Sequence, residues 1–213
     1  MREILFWGAT GHASVLHEAI QGTDLKLVAL ADNRELEPGK LGLSVMHGEK
    51  ELMEWLARRS GAELHFAVAV GGARGRQRIE LMDMLLRHGL KAASVVHRTA
   101  FVAATASIGE GCQIMAQSAV CAFAKLGRGI IINTSASVDH DCVLGDGVHL
   151  GPGARLAGEV RVDARAFIGT GAVVLPRIWI GEDAVVGAGA VVTRNVPVGV
   201  TVVGNPARFG LKK

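Results

Sequence analysis

Apolar positions recur with two different periods along the chain, and the period changes near residue 96. From Val96 to Val198 every sixth residue is aliphatic, without a slip. Four residues after most of these positions stands a second small or aliphatic side chain, such as Ala100, Ala106 or Cys112. An α-helix would place apolar residues every three or four positions, and a lone strand every second position. A six-residue period therefore predicts neither.

The six-residue period predicts a short strand, a turn and a change of direction. Three such strands make one triangular coil, so residues eighteen apart stack along its axis, as in a hexapeptide parallel β-helix. Neighbouring coils then lie about 4.8 Å apart. We expect the aliphatic residue to point into a narrow core, with a small residue at the second inward position. Because no hexad is interrupted, no long loop should project from the prism.

Glycine often follows the aliphatic residue of a hexad, as in Ile108-Gly109 and Leu144-Gly145. The corners of such a prism are tight, and glycine adopts a positive φ at little cost. We therefore interpret these glycines as corner residues whose backbone needs a positive φ.

Before residue 96, short apolar runs alternate with helical patterns. The runs predict strands over residues 4–7, 25–30 and 65–70, and the patterns predict helices that end at residue 20 and that span 49–59 and 74–88. This alternation predicts a small parallel α/β sheet. We divide the chain into a Rossmann-like α/β domain, residues 1–95, and a β-helical domain, residues 96–213.

Composition narrows the class of protein. The 213 residues are 49% hydrophobic and only 4% aromatic, which suits a core of Val, Ile, Leu and Ala. The net charge of +3 is too small to argue for a nucleic-acid partner. The three cysteines are odd in number and form no C-x-x-C pair, which favours reduced thiols in a cytoplasmic protein. The sequence shows neither a signal peptide nor a run of about 18 apolar residues, so we expect no membrane partner.

Gly-rich turns follow the first and third predicted strands, at Gly8-Ala9-Thr10-Gly11-His12 and Gly71-Gly72. Ligands bind beyond the carboxyl ends of strands in such sheets, and a helix N-terminus there can hold phosphate. Gly8-x-x-Gly11 is shorter than the full dinucleotide fingerprint, although Asp32 lies at about the right distance to meet a ribose hydroxyl. These residues alone leave a nucleotide pocket and a merely structural turn both open.

The β-helical half contains three histidines, His97, His140 and His149. His140 occupies an outward position between Asp139 and Asp141, and an adjacent acid orients an imidazole and raises its basicity. We therefore favour a catalytic base over a solvated histidine in a polar turn. His149 either contacts a ligand in the same groove or packs on a neighbour at the surface. His97, at the start of the repeat, is interpreted as structural or surface.

Some hexapeptide prisms are zinc-dependent carbonic anhydrases. Those enzymes gather three histidines at one site, two of them five residues apart. Here His140 and His149 are nine residues apart, with no third histidine nearby in the sequence. The spacing argues against a zinc site, and we predict no metal.

Taken together, these motifs resemble the sialic acid O-acetyltransferase-like family, the sugar acetyltransferases that include the bacillosamine-pathway UDP-amino-sugar N-acetyltransferase. The likeness covers essentially the whole chain. The hexads alone indicate only the wider acyltransferase superfamily, and the α/β domain in front makes the resemblance more specific. Its motifs are Gly8-Ala9-Thr10-Gly11-His12, Leu30-Ala31-Asp32-Asn33, Ala69-Val70-Gly71-Gly72, Asn133-Thr134-Ser135, Asp139-His140-Asp141-Cys142 and Val203-Gly204-Asn205-Pro206-Ala207-Arg208.

The resemblance implies a left-handed β-helix and a homotrimer whose active sites lie in the grooves between neighbouring prisms. Acetyl-CoA would lie along that groove, and the N-terminal domain would hold a nucleotide-linked sugar. His140 would be the general base, tuned by Asp141 where the family commonly has Glu. The nucleotide-sugar pocket would be lined by Thr10, Gly11, His12, Asp32, Asn33 and Gly71. Acetyl-CoA would be faced by His149, Thr170 and Ala188, with the N–H of Gly158 at the oxyanion.

The expected reaction is direct acetyl transfer from acetyl-CoA to the amine of a nucleotide-linked amino sugar, in the biosynthesis of a polysaccharide or glycan. Cys142 falls on an inward position and should be buried and inert. Two alternatives stay open, an O-acetyltransferase acting on a sugar hydroxyl such as that of a sialic acid, and a non-catalytic nucleotide-sugar-binding protein. The His140-Asp141 pair argues against the second.

Overall fold

A computed structural model describes residues 1–59 and 63–209 of the chain. An α/β domain comes first and a triangular β-helix follows. No helix in these two ranges is long and apolar enough to cross a membrane. The elements of the first domain are β1 (Arg2–Trp7), α1 (Gly11–Ala19), β2 (Leu25–Asp32), β3 (Val45–His47), α2 (Gly48–Ala57), β4 (Leu64–Val68), α3 (Gly75–Arg87) and β5 (Lys91–Ala92).

The five strands of the first domain form one parallel sheet in the order β3-β2-β1-β4-β5. The predicted α/β architecture is confirmed, with differences in detail: β4 ends at Val68 where the prediction ended at residue 70, and β5 was not predicted. β2 continues to Asp32 because Ala31 pairs with Trp7 of β1 and Asp32 pairs with His47 of β3. β3 itself was not predicted, since three residues are too few to show a period.

Both faces of this sheet are covered, so the central strand β1 is apolar on both sides. Ile4 and Phe6 pack with Leu16 of α1 on one face. Leu5 and Trp7 pack on the other face, in a cluster that includes residues of α2 and α3. The alternation of side chains along a strand explains this division.

The second domain repeats two-residue strands at six-residue intervals, as the hexads predict. They are β6 (Val95–Val96), β7 (Phe101–Val102), β8 (Ser107–Ile108), β9 (Gln113–Ile114), β10 (Ala119–Val120), β11 (Lys125–Leu126), β12 (Ile131–Ile132), β13 (Ser137–Val138), β14 (Val143–Leu144), β15 (His149–Leu150), β16 (Arg155–Leu156), β17 (Arg161–Val162), β18 (Phe167–Ile168), β19 (Val173–Val174), β20 (Trp179–Ile180), β21 (Val185–Val186) and β22 (Val191–Val192). The strands β23 (Thr201–Val203) and β24 (Arg208–Phe209) close the described chain.

These strands form the three faces of a prism. Face 1 contains β6, β9, β12, β15, β18, β21, β23 and β24; face 2 contains β7, β10, β13, β16, β19 and β22; face 3 contains β8, β11, β14, β17 and β20. The chain runs from face 1 to face 2 to face 3 and back, so each coil has a 1/2, a 2/3 and a 3/1 corner. Residues eighteen apart are paired, as Val120 is with Val138 and Val138 with Leu156.

The aliphatic residues of the hexads form the core of the prism, and the residues four positions later fill the rest of it. Val120, Val138 and Ala136 are fully buried. The predicted stacking of large and small inward residues is therefore confirmed along the described coils.

The interpretation of the corner glycines was wrong. The positive φ lies two residues after Gly109 and its equivalents, at Gly111, Gln117, Phe123, Gly129, Ser135, Asp141, Gly147, Gly153, Glu159, Arg165, Gly171, Arg177, Asp183 and Gly189. Gly109 is instead required by close approach, because a Cβ there would lie 2.5 Å from the carbonyl oxygen of Gly127 in the next coil.

The repeat also ends differently from the expectation. Val185 pairs with Thr201, sixteen residues on instead of eighteen, so the last coil is two residues short. Val196 takes the inward place opposite Ile180. Val198, the last member of the aliphatic series, is 58% exposed.

Candidate active site

His140 lies at a 2/3 corner, directly after β13. Its Nδ1 is 2.8 Å from Oδ2 of Asp141. A carboxylate only accepts hydrogen bonds, so Nδ1 carries the hydrogen and Nε2 keeps a free lone pair. The backbone N–H of His140 donates to Oδ1 of Asp139 over 2.7 Å. With about half of its side chain exposed, His140 presents a proton-accepting nitrogen at the surface.

The acids around His140 favour its protonated form. The hydrogen bond that His140 donates to Asp141 raises the pKa of His140 above its ordinary value, and the charges of Asp139 and Glu159 act in the same direction. Asp141 has a φ of 58°, a conformation that Asp tolerates better than most residues. The backbone of this corner thus places a carboxylate against the imidazole of the preceding residue.

Gly158 lies one coil beyond His140 at the same corner. A Cβ at Gly158 would be 2.4 Å from Nε2 of His140, so only glycine lets the imidazole lie over the backbone there. Within residues 1–59 and 63–209, the N–H of Gly158 donates no backbone hydrogen bond. The backbone of Gly158 therefore lies beside the basic nitrogen, and its N–H is left without a backbone acceptor at the residue where the resemblance placed an oxyanion contact.

Cys142 is not a nucleophile in this site. It is buried and donates to the carbonyl oxygen of Ala157 over 3.2 Å. Burial raises the pKa of its thiol to about 11, so the thiolate is scarce at neutral pH. In the described ranges, no group of three or more His, Cys, Asp or Glu side chains is placed to hold a metal ion.

A second concave region lies at the carboxyl edge of the α/β sheet, where β1, β2 and β4 end. This cleft has an empty volume of about 580 Å³. Its lining contains five of the six predicted nucleotide-sugar residues, but Gly11 lies outside it. The cleft is lined by Trp7, Gly8, Thr10, His12, Asp32, Asn33, Arg34, Ala69, Val70, Gly71, Arg74, Gln77 and Leu81.

Asp32 was expected to meet a ribose hydroxyl, but in the structure it accepts hydrogen bonds from other residues of the chain. Nε and a terminal nitrogen of Arg34 each donate to Asp32 over 2.9 Å, and the N–H of Ala9 donates over 3.1 Å. Burial alone would raise the pKa of Asp32, yet these hydrogen bonds together lower it. Asp32 therefore holds Arg34 and the turn after β1 in place.

His12 connects the cleft to the prism. Its Nε2 is 2.7 Å from Oε1 of Gln113, a fully buried residue of β9 on face 1. Gln113 donates its amide N–H to the carbonyl oxygen of Val68, which fixes its Oε1 toward His12. Burial lowers the pKa of His12, so the ring is neutral with Nε2 protonated. Its Nδ1 is left as an acceptor.

His149 lies on β15 of face 1, under the N-terminal domain. Its Nδ1 is 3.3 Å from the carbonyl oxygen of Gly72, and its Nε2 is 3.3 Å from Nδ2 of Asn133. Burial lowers the pKa of His149 to about 3, and the charge of Arg78 contributes. Within one chain, His149 and His140 occupy different sides of the prism. That both residues face one ligand groove between neighbouring prisms stays a prediction.

The remaining residues predicted to contact acetyl-CoA lie at a different corner from His140. Thr170 and Ala188 follow β18 and β21, one coil apart at the 1/2 corner. His140 and Gly158 occupy the 2/3 corner. A single chain therefore brings His140 together with Gly158 but not with Thr170, Ala188 or His149.

Comparison with known proteins identifies the family. Residues 3–81 match the PglD N-terminal domain, and residues 159–194 match the bacterial transferase hexapeptide (six repeats) family. The structure of PerB from Caulobacter crescentus, in complex with CoA and GDP-perosamine, is 36% identical. The likeness covers 99% of this chain and 98% of that one, with a TM-score of 0.89. The chain belongs to the hexapeptide-repeat sugar acetyltransferases.

Two further structures support the assignment of this chain to the hexapeptide-repeat sugar acetyltransferases. The acetyltransferase domain of PglB from Neisseria gonorrhoeae, in complex with acetyl coenzyme A, is 33% identical over 98% of this chain and 99% of that one, with a TM-score of 0.86. WeeI from Acinetobacter baumannii is 28% identical over 99% and 100% of the two chains, with a TM-score of 0.85. No curated protein sequence matches the chain.

The comparisons confirm the left-handed β-helix, the CoA-dependent acetyltransferase class and the superfamily inferred from the resemblance. They do not confirm the narrower sialic acid O-acetyltransferase-like type.

Sequence reasoning missed several polar residues of this acetyltransferase. Arg74 and Gln77 line the cleft from the start of α3, and Arg34 lines it from beyond β2. Their signal was available, since all three follow the carboxyl end of a strand, where ligands bind in such sheets. Gln113 and Arg78 gave no such signal, because their partners are distant in the sequence.

Proposed function

We propose that this acetyltransferase transfers the acetyl group of acetyl-CoA directly to the amine of a nucleotide-linked amino sugar, with His140 as the general base. The observation that carries the proposal is the His140-Asp141 pair lying over the backbone of Gly158. The family supports it, since one relative is described with CoA and GDP-perosamine and another with acetyl coenzyme A.

The charge of the cleft suits a nucleoside diphosphate. Arg34 and Arg74 line it, and Asp32, the one carboxylate among the described lining residues, is held by Arg34. The first turn of α1, after Thr10, faces the same space and has no side-chain cap. Helix N-termini and arginines are the groups that bind phosphate oxygens. We therefore propose that the diphosphate group of the sugar nucleotide binds in this cleft.

The reaction needs one base and one oxyanion donor. The amine nitrogen attacks the thioester carbonyl carbon, and Nε2 of His140 accepts the amine proton as the C–N bond forms. The carbonyl oxygen becomes an oxyanion, which the N–H of Gly158 stabilises. The C–S bond then breaks, and His140 returns the proton to the departing thiolate. The products are an N-acetylated sugar nucleotide and CoA, and Asp141 stays ionised throughout.

The positions of the two half-sites support a homotrimer. The N-terminal domain contacts face 1 through Gln113 and His149, whereas His140 lies at the 2/3 corner, opposite face 1 in a triangular prism. One chain therefore cannot bring its own cleft to its own base. In the trimer that we propose, the His140 corner of one subunit meets the cleft of the next.

Apolar side chains around the His140 corner support the same assembly. Phe101 of β7 is 59% exposed and Phe123, at the same corner, is 57% exposed. Val143 of β14 and Leu175 are also exposed. Exposed apolar groups of this kind mark contact surfaces, and a neighbouring subunit would cover them. The use of acetyl-CoA and the buried thiols fit a cytoplasmic enzyme of glycan biosynthesis.

The test is thiol release from acetyl-CoA in the presence of a panel of acceptors. Nucleotide-linked amino sugars, beginning with GDP-perosamine, should release CoA, and mass spectrometry should find an acetamide. Release with sialic acids alone would establish the O-acetyltransferase instead. Binding of nucleotide sugars without any release would establish the non-catalytic alternative.

A further inference from the structure

Arg78, in the second turn of α3, is fully buried. The four hydrogen bonds that its side chain donates within the described residues all go to carbonyl oxygens. Nε donates to Gly129 over 2.7 Å, and one terminal nitrogen donates to Val70 over 2.8 Å. The other terminal nitrogen donates to Gly147 and, over 3.4 Å, to Val148. One guanidinium thus joins the cleft to two successive coils of the prism.

The wall of the cleft that Arg78 holds is formed by residues 68–72. Val68 accepts from Gln113 of the prism, and Gly72 lies against His149 of the prism. With Arg78 at Val70, the wall is attached to the prism at three points. Arg78 is the only one of the three that reaches from the N-terminal domain, and it contacts two coils at once.

We propose that Arg78 is a positioning residue that fixes the nucleotide-sugar cleft on the prism and so sets where the acceptor amine lies. This rests on the proposed function, in which the cleft holds the acceptor and a prism presents the base. A rigid connection matters because an error of about 1 Å in the position of reacting groups can cost about 100-fold in rate.

The geometry of the arginine side chain explains why lysine cannot replace Arg78. Its planar fork donates in several fixed directions at once, whereas the ammonium of lysine is a compact charge on a flexible stem. Arg78→Lys keeps a nitrogen donor on a long side chain but cannot satisfy Gly129, Val70 and Gly147 together. The variant should leave the wall attached to the prism by fewer contacts, without altering a cleft-lining side chain.

The experiment compares Arg78→Lys with the wild type and with Arg76→Lys. Arg76 lies on the same helix and also reaches the prism, where it pairs with Asp183, but it is exposed. With acetyl-CoA and GDP-perosamine, or another acceptor that the wild type acetylates, Arg78→Lys should lower kcat about 10- to 100-fold. The KM for acetyl-CoA and the affinity for the free nucleoside diphosphate should change less than about threefold. Arg76→Lys should retain wild-type kcat.

A second variant covers the case in which Arg78→Lys does not fold. A Cβ at Gly75 would lie 2.6 Å from the carbonyl oxygen of Gly147 and 2.8 Å from Cα of Arg165. Gly75→Ala therefore pushes α3 away from the prism while Arg78 is kept. It should lower kcat in the same way, with the same retention of ligand affinity.

Hydrogen exchange gives a readout that does not need turnover. In Arg78→Lys the amides of residues 69–74 should exchange faster than in the wild type, and in Arg76→Lys they should not. Unchanged exchange together with unchanged kcat would overturn the proposal, as would equal losses of kcat and of both ligand affinities. A wild-type protein that acetylates no amino-sugar nucleotide would refute the proposed function alone, because the exchange comparison still decides the role of Arg78 in holding the wall.

Discussion

A single imidazole carries the proton in the proposed reaction. We expect His140→Ala to lower turnover by about 10²–10⁴-fold, the usual contribution of a general base. Acetyl-CoA affinity should change little, because the ring contributes its lone pair to the reaction and not to binding. Steady-state kinetics and calorimetry on the variant measure both. His97→Ala, at the first coil, is the control, and near wild-type turnover in His140→Ala would show that the base is another group.

In the proposed reaction, the Asp141 carboxylate contributes most to raising the pKa of His140 and thus the pH at which His140 can act as the base. His140 accepts a proton only when neutral, so kcat/KM should rise with pH through a pKa above the ordinary value of about 6.5. Asp141→Asn removes the charge and tolerates the same backbone. It should move the acidic limb of the pH profile to lower pH and reduce kcat, because a weaker base remains. A limb that stays in place would rule out the coupling.

Local neighbours decide how far single residues can be predicted from sequence. The role of His140 depends on Asp139 and Asp141, which stand next to it, and the structure places all three at one corner. The hydrogen-bond partners of His149 are Gly72 and Asn133, and no sequence spacing predicts that they lie beside it. Its burial under the N-terminal domain could not be foreseen.

At the scale of elements, the hexad pattern predicted almost every strand of the prism because each coil repeats the same local packing. It failed where the cause lies one coil away. The sequence shows a glycine at position 109, but the close contact with Gly127 that requires this glycine forms only when the coils stack. The short last coil was hidden for the same reason, since Val196 and Val198 are both aliphatic.

Gly158 allows an element-scale test of the site. Gly158→Ala places a methyl group where Nε2 of His140 lies, so the ring must move away from the oxyanion donor. We expect at least a tenfold loss of kcat with little change in melting temperature. Ala164→Gly, the reverse exchange at the same hexad position of the 3/1 corner, controls for backbone flexibility and should keep kcat. Full activity in Gly158→Ala would remove this glycine from the site.

For the whole molecule, the site that we propose to be shared between subunits predicts complementation between inactive chains. His140→Ala has an intact cleft, and Arg74→Ala has an intact base. Mixed trimers should therefore contain some sites with both halves intact, and co-expression should recover part of the wild-type rate at low acceptor concentration. Each variant alone is the control, and sedimentation should show a trimer. A fully active monomer, or mixtures no faster than either parent, would contradict the shared site.

The way α3 lies along the prism has a consequence for how the molecule unfolds. Arg78 reaches Gly129 and Gly147, Gly75 abuts Arg165, and Arg76 pairs with Asp183. These four prism residues hold the same place in four successive coils. In a solenoid each repeat touches only its neighbours, so coils can fray one by one. Because α3 contacts four coils, we expect these coils to unfold as one cooperative unit, and local opening to be confined to coils that α3 does not contact.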